Sequence, residues 1–261
     1  MNVPIYQVDA FADRPFTGNP AAVMVLDRFA DDAALQAIAA ENNLAETAFI
    51  VADGDDFRLR WFTPTVEVPL CGHATLASAA VVLERLSPRR NQVTFHSASG
   101  PLSVQRTPTG YVMNFPARPA TPVAPPFGIV EALGARPIDV AWDRFNYLAL
   151  LKTADDVRRL IPNEAAIAKL DCDGVIVTAP GDNGYDFVSR YFAPAKGIPE
   201  DPVTGGAHCS LAPYWAQRLN KTAFRAFQAS PRGGEVICRL VGDRVELEGS
   251  CIFYLEGRAA I

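Results

Sequence analysis

No stretch of this sequence strings together the roughly 20 apolar residues that a membrane-spanning helix requires. The opening residues, MNVPIYQVDAF, lack the basic and apolar segments of a secretory signal. Positive charge is also in deficit: 24 Lys and Arg stand against 29 Asp and Glu, a net charge of −5. That balance argues against nucleic acid or an anionic membrane as partner. Five cysteines, at positions 71, 172, 209, 238 and 251, form no paired framework, so a disulfide scaffold is excluded and a cytoplasmic location is expected. What remains is a composition with 49% hydrophobic and 20% charged residues, enough to bury a sizeable core.

The chain repeats itself. Residues 67–76, EVPLCGHATL, align with residues 200–209, EDPVTGGAHC, at an offset of 133. Just upstream, RWFTP from Arg60 faces RYFAP from Arg190 at an offset of 130, and ETAFIV from Glu46 lies opposite DGVIVT from Asp173 at 127. Ordered similarity over a unit this long points to two copies of one domain rather than to a solenoid. Between them, FPARPATPVAPPFG carries prolines at 116, 119, 122, 125 and 126. Proline at that density reads as a stiff connector, which sets expected domains at 1–117 and 118–261.

Within each half, alternating and apolar runs predict strands around one helix. In the first half the strands fall at Pro4–Phe11, 21–26, Thr47–Val51, Phe57–Phe62, Gln92–His96, Leu102–Arg106 and Tyr111–Phe115. A helix opens at Asp31-Asp32, where acidic residues suit the dipole. A second, from Ala74 to Leu86, is apolar nearly all round and implies burial on every side. The second half reads as a strand at Asn146–Lys152, a helix at Ala154–Leu170, strands at Gly174–Thr178 and Asp186–Phe192, and the apolar helix Ala207–Leu219. Hairpin strands follow at Glu235–Leu240, Arg244–Glu248 and Ile252–Leu255.

Each glycine turn, Gly72-His73 and Gly205-Gly206, immediately precedes an apolar helix. Free N–H groups and the positive dipole end at such a turn can hold a small carboxylate. Glu46, Asp201 and His73 are the candidate proton carriers, and each also has a structural reading: a junction Glu, a turn cap, a core histidine. Cys71, His73, His208 and Cys209 have zinc-ligand chemistry. Their Cys-x-His and His-Cys spacings lack the usual separation of ligands, and no metal is expected.

Taken together, DAFADRPFTGNPAAV, NLAETAF, FTPTVEVPLCGHATLASA and EDPVTGGAHC resemble the PhzF family of phenazine-biosynthesis-like proteins, over essentially the whole chain. The resemblance implies an α+β chain of the diaminopimelate epimerase-like fold. It would have two pseudo-symmetric domains, each an antiparallel barrel-like sheet around a central helix, with the active site between them and the last strand returning to the first domain. Carried over, the catalytic glutamate falls on Glu46, the histidine on His73 and the aspartate on Asp201. Asn19, Gly72, Thr204, Gly205 and Gly206 would contact substrate. The family usually has Ser where this chain has Gly206, which points to a different substrate contact.

The implied activity is a cofactor-independent isomerisation that moves a proton between ring carbons of a small cyclic carboxylate, by a homodimer. A closed apolar cleft would raise the carboxyl's pKa and let it take and return that proton. Two alternatives remain. Racemases of the same fold use one cysteine on each side of the substrate. Here Cys71 fills the first position, but Thr204 stands at the second, where a hydroxyl cannot replace a thiol base. The other alternative is a non-catalytic binder of small carboxylates.

Overall fold

A computed structural model describes residues 2–261 and divides them into two compact units, 2–114 with 248–261, and 115–247. The division falls upstream of the boundary expected at 117, and the final strand belongs to the first unit.

The first unit begins with β1 (Asn2–Ala10), which pairs antiparallel with β2 (Asn19–Leu26). The intervening loop closes on Gly18, whose φ of +69° and closeness to the Ala10 carbonyl leave no room for a side chain. That turn sets Asn19 opposite Ala10. Helix α1 (Asp32–Asn42) is capped by Asp31, which accepts from the Ala34 N–H. It leads to β3 (Glu46–Asp53), parallel to β2 in the register Ala21↔Glu46. Strand β4 (Asp56–Phe62) and the short β5 (Glu67–Val68) follow.

Helix α2 (Gly72–Val81) is buried from His73 to Val81 and packs against β1, β2 and β3, the central position its all-round apolarity requires. The predicted helix to Leu86 is correct in extent, but its last turn, Val82–Leu86, is a π-helix. Strands β6 (Gln92–Ser97), β7 (Gly100–Arg106) and β8 (Tyr111–Pro116) continue as a meander.

The second unit opens with β9 (Thr121–Pro122), α3 (Ile129–Leu133), β10 (Asp139–Trp142) and β11 (Asn146–Leu150). The single helix predicted over Ala154–Leu170 is instead two short ones, α4 (Ala154–Arg159) and α5 (Glu164–Ile167). Pro162 lacks an N–H and forces the residue before it out of helical geometry. Asn163 then starts the next helix by accepting from Ala166 N–H at 3.1 Å. Strand β12 (Gly174–Pro180) runs parallel to β11 and antiparallel to β13 (Phe187–Ala193), which leads to β14 (Ile198–Asp201). The second central helix, α6 (Gly205–Leu219), is buried from Ala207 to Trp215. Strands β15 (Ala223–Gln228), β16 (Gly234–Val241) and β17 (Arg244–Gly249) complete the unit. Finally β18 (Cys251–Ala260) runs antiparallel along β1, from Asn2↔Ala260 to Ala10↔Cys251.

The repeat is structural, with one correction. The β3–β4 register sets Thr47 opposite Phe62, and the β12–β13 register sets Val175 opposite Phe192. Phe62 and Phe192 are equivalent, so Glu46 corresponds to Gly174, one residue beyond the sequence alignment. Hairpin pairing overrides local similarity because a one-residue slip would turn every side chain to the wrong face.

Candidate active site

In the first unit, three of the residues singled out by sequence meet. Glu46 opens β3, His73 lies in the first turn of α2, and Asn19 opens β2. All three are buried, at 7%, 5% and 0% exposure. His73 Nε2 lies 3.0 Å from Glu46 Oε2. On the other side of the ring, Nδ1 is 3.1 Å from Asn19 Nδ2 and 3.5 Å from Cys71 Sγ. The Asn19 amide can serve either charge state of the ring: its NH₂ donates to a neutral Nδ1, and turned over its carbonyl accepts from an imidazolium.

Burial opposes charge on His73, but the adjoining Glu46 carboxylate outweighs it and holds the imidazole above its ordinary range. Cys71 is pushed up by burial and by the charge of Glu46, so it is a protonated thiol at neutral pH and a poor nucleophile or base. The ligand atoms of Glu46, Cys71 and His73 all lie within 4.8 Å of one another, the one such cluster of metal-ligand type among the described residues. Of the four residues with zinc-ligand chemistry in the sequence, only Cys71 and His73 belong to this cluster. Glu46 joins them here, while His208 Nδ1–H is committed to the Thr204 carbonyl at 2.8 Å.

In the second unit the glycine turn is tied down rather than open. Thr204 Oγ1–H donates to Asp201 Oδ2 at 2.6 Å. Gln228, at the end of β15, accepts from Thr204 N–H at 2.8 Å and donates to Asp201 O at 2.7 Å. Sequence reading missed Gln228, although the alternation AFRAFQ, with Phe224, Ala226 and Gln228 buried, marks its strand. It also missed Arg118. A Cβ on Gly206 would sit 3.1 Å from Arg118 Nη2, so the absence of a side chain at 206 is what lets the guanidinium lie over the start of α6. The first N–H groups of α6, like those of α2 at Gly72, have no intrahelical acceptor.

Both motif loops are braced in the same way. Arg60 Nε and Nη2 reach both oxygens of Glu67, each at 2.7 Å. Arg190 grips Glu200 at 2.7 and 2.8 Å. The repeat thus preserves a fork-to-fork ion pair that fixes each glycine turn to the strand before it.

What the repeat does not preserve is the acid. At Gly174, the counterpart of Glu46, a Cβ would lie 2.5 Å from the Tyr191 hydroxyl and 2.7 Å from the Phe192 carbonyl. No carboxylate fits there. The fold is therefore a duplicated α+β scaffold carrying one buried carboxylate–imidazole pair, built into its first copy. Over residues 8–260 the sequence matches the family described as phenazine biosynthesis-like protein, PhzC-PhzF, and the chain belongs to that family. It is 50% identical, over 99% of its length and 98% of the relative's, to an uncharacterized isomerase of Pseudomonas aeruginosa. To the mouse phenazine biosynthesis-like domain-containing protein 1 it is 42% identical, over 98% and 99% of the two chains. A crystal structure of a PhzF-family protein from Enterococcus faecalis superposes with a TM-score of 0.97 at 44% identity, over the whole of both chains.

Proposed function

We propose that the protein is an isomerase that moves a proton between two carbons of a small cyclic carboxylate, with Glu46 as the single group that takes and returns it. The observation that carries this reading is the buried Glu46–His73 contact of 3.0 Å together with its missing counterpart at Gly174. A two-base epimerisation needs an acid or thiol from each copy. Here the second copy offers glycine opposite Glu46 and, at the position matching Cys71, a threonine whose hydroxyl donates to Asp201.

In this reading Glu46 removes a proton from one ring carbon, and the electron pair delocalises toward the substrate carboxylate. That carboxylate is held by free N–H groups at the start of a central helix, where the dipole is positive. His73, kept cationic beside Glu46, steadies the developing negative charge. Glu46 then delivers the proton to a second carbon on the same face, because a fixed substrate keeps both carbons in reach. In this reading both halves of the transfer use the same carboxylate and call on no cofactor. Within the second unit, Gln228 holds Asp201 and Thr204 in place. The isomerase named in Pseudomonas aeruginosa supports the reaction class.

The test is uptake of solvent deuterium into a panel of cyclic and α-amino carboxylates. The native protein is expected to label a cyclic carboxylate. Glu46→Gln keeps shape and hydrogen bonding but loses the titratable proton, so it should lower turnover by at least about 10³-fold, roughly 4 kcal/mol of barrier. Ligand affinity should stay within about tenfold. If Glu46→Gln labels at the native rate, Glu46 is not the base.

A further inference from the structure

Beyond that reaction, the first unit contains the elements of a zinc site that the proton transfer does not use. Cys71 Sγ and His73 Nδ1 are 3.5 Å apart. A tetrahedral zinc, with Zn–S of about 2.3 Å and Zn–N of about 2.0–2.1 Å, holds two such ligands about 3.5 Å apart. The pair already has the spacing of one edge of the coordination tetrahedron. Behind the ring, Glu46 Oε2 lies 3.0 Å from Nε2. A ligating histidine is ordinarily oriented by a carboxylate that accepts from its other nitrogen. The pair is buried, with Cys71 at 7% and His73 at 5% exposure, so the ligands would be held rather than recruited from a mobile surface.

The geometry points to a reversible inhibitory site for a thiophilic divalent cation, zinc first, bound by Cys71 Sγ and His73 Nδ1 with Glu46 fixing the imidazole. Binding displaces two protons to solvent, the thiol proton of Cys71 and the Nδ1 proton of the His73 imidazolium, takes Nδ1 from the Asn19 amide, and leaves the cation's remaining positions to water or an anionic ligand. The metal is not needed for turnover. It stops turnover by taking His73 and by turning Glu46 from a proton carrier into a partner of the metal-bound ring. Only this effect on turnover rests on the function proposed above; the binding does not.

Binding is therefore measured first, without substrate, by competition between metal-free protein and a chromophoric zinc chelator. One zinc per chain is expected. Cys71→Ser and His73→Gln should each abolish it, and Glu46→Gln should weaken it about 10–100-fold, the usual cost of losing an orienting carboxylate. Cys172→Ser, whose thiol lies in the other unit, should bind as the native protein does. Cobalt(II) added to the native chain should give a thiolate-to-metal charge-transfer band that is missing in Cys71→Ser, a readout independent of whether the His73 variant folds. No zinc uptake by the native protein, or uptake unchanged in Cys71→Ser with no such band, overturns the site. Uptake at the site without loss of deuterium exchange overturns its inhibitory role. If the native protein exchanges no deuterium on any carboxylate yet binds zinc as described, the proposed reaction fails while the site stands.

Discussion

Two histidines placed at matching ends of the repeated helices behave oppositely, and the difference lies in their neighbours. His73 faces a carboxylate and is held above the ordinary imidazole range. His208 sits in the core of the second unit with one bond, Nδ1–H to the Thr204 carbonyl, and burial drops it from 6.5 to about 4. A depressed folded-state pKa stabilises the native state above the unfolded value of 6.5, and that contribution drains away as pH falls toward 4. The shift corresponds to about 3 kcal/mol. Denaturant unfolding should therefore show native protein losing about that much more stability than His208→Gln between those pH values. His73, raised rather than lowered, keeps its contribution throughout that window and loses it only at higher pH, so it cancels in the comparison. Gly206→Ser is the second test at this scale. Its Cβ would press on the mobile end of Arg118, which can swing aside, so the stability change should stay below about 1 kcal/mol. Affinity for carboxylate ligands should change instead, measurable by calorimetry.

Strands and loops show how the motif is held, and how much of that was readable. The Arg190–Glu200 pair is largely buried, with side-chain exposures of 9% and 18%, against 24% and 41% for Arg60–Glu67. Glu200→Gln leaves a buried guanidinium bonded to the Val157 and Leu160 carbonyls but without its counter-charge, and should cost about 3 kcal/mol. Glu67→Gln should cost less than about 1 kcal/mol. Equal losses in thermal melts would contradict the difference in burial. Both arginines and both glutamates were visible in the repeat, as were the two apolar central helices, because these depend on local composition and spacing; the α+β class came with the family resemblance. The pairing of Glu46 with Gly174 was not visible, since it depends on which residues face each other across hairpins. Nor was the break at Pro162, where apolar periodicity on both sides masked the end of α4. Gln228 and Arg118 reach the second glycine turn from distant positions, and neither sits in a motif. Distance in sequence hid them.

At the scale of the whole chain, the first unit is discontinuous. Strand β1 pairs with β2 on one side and β18 on the other, and the entire second unit lies between its two segments in sequence. A chain cut after Leu247 would leave β1 with an open row of backbone donors and acceptors. The loss should be comparable to the whole stability of a domain, about 5–15 kcal/mol. Hydrogen exchange of such a truncation should show β1 and β2 unprotected while β11–β13 stay protected. Uniform protection would mean that β18 is dispensable.

The same arrangement orders events on the ribosome. Residues 115–247 form a contiguous stretch that can close on itself as soon as it has emerged. The earlier-made segment, carrying Glu46 and His73, must wait with one flank of β1 uncovered until the last strand is released. During that interval the nascent chain presents an unpaired strand edge to other chains. Its yield in the cell should therefore depend on synthesis rate and on chaperones that shield strands, more than its finished stability would suggest.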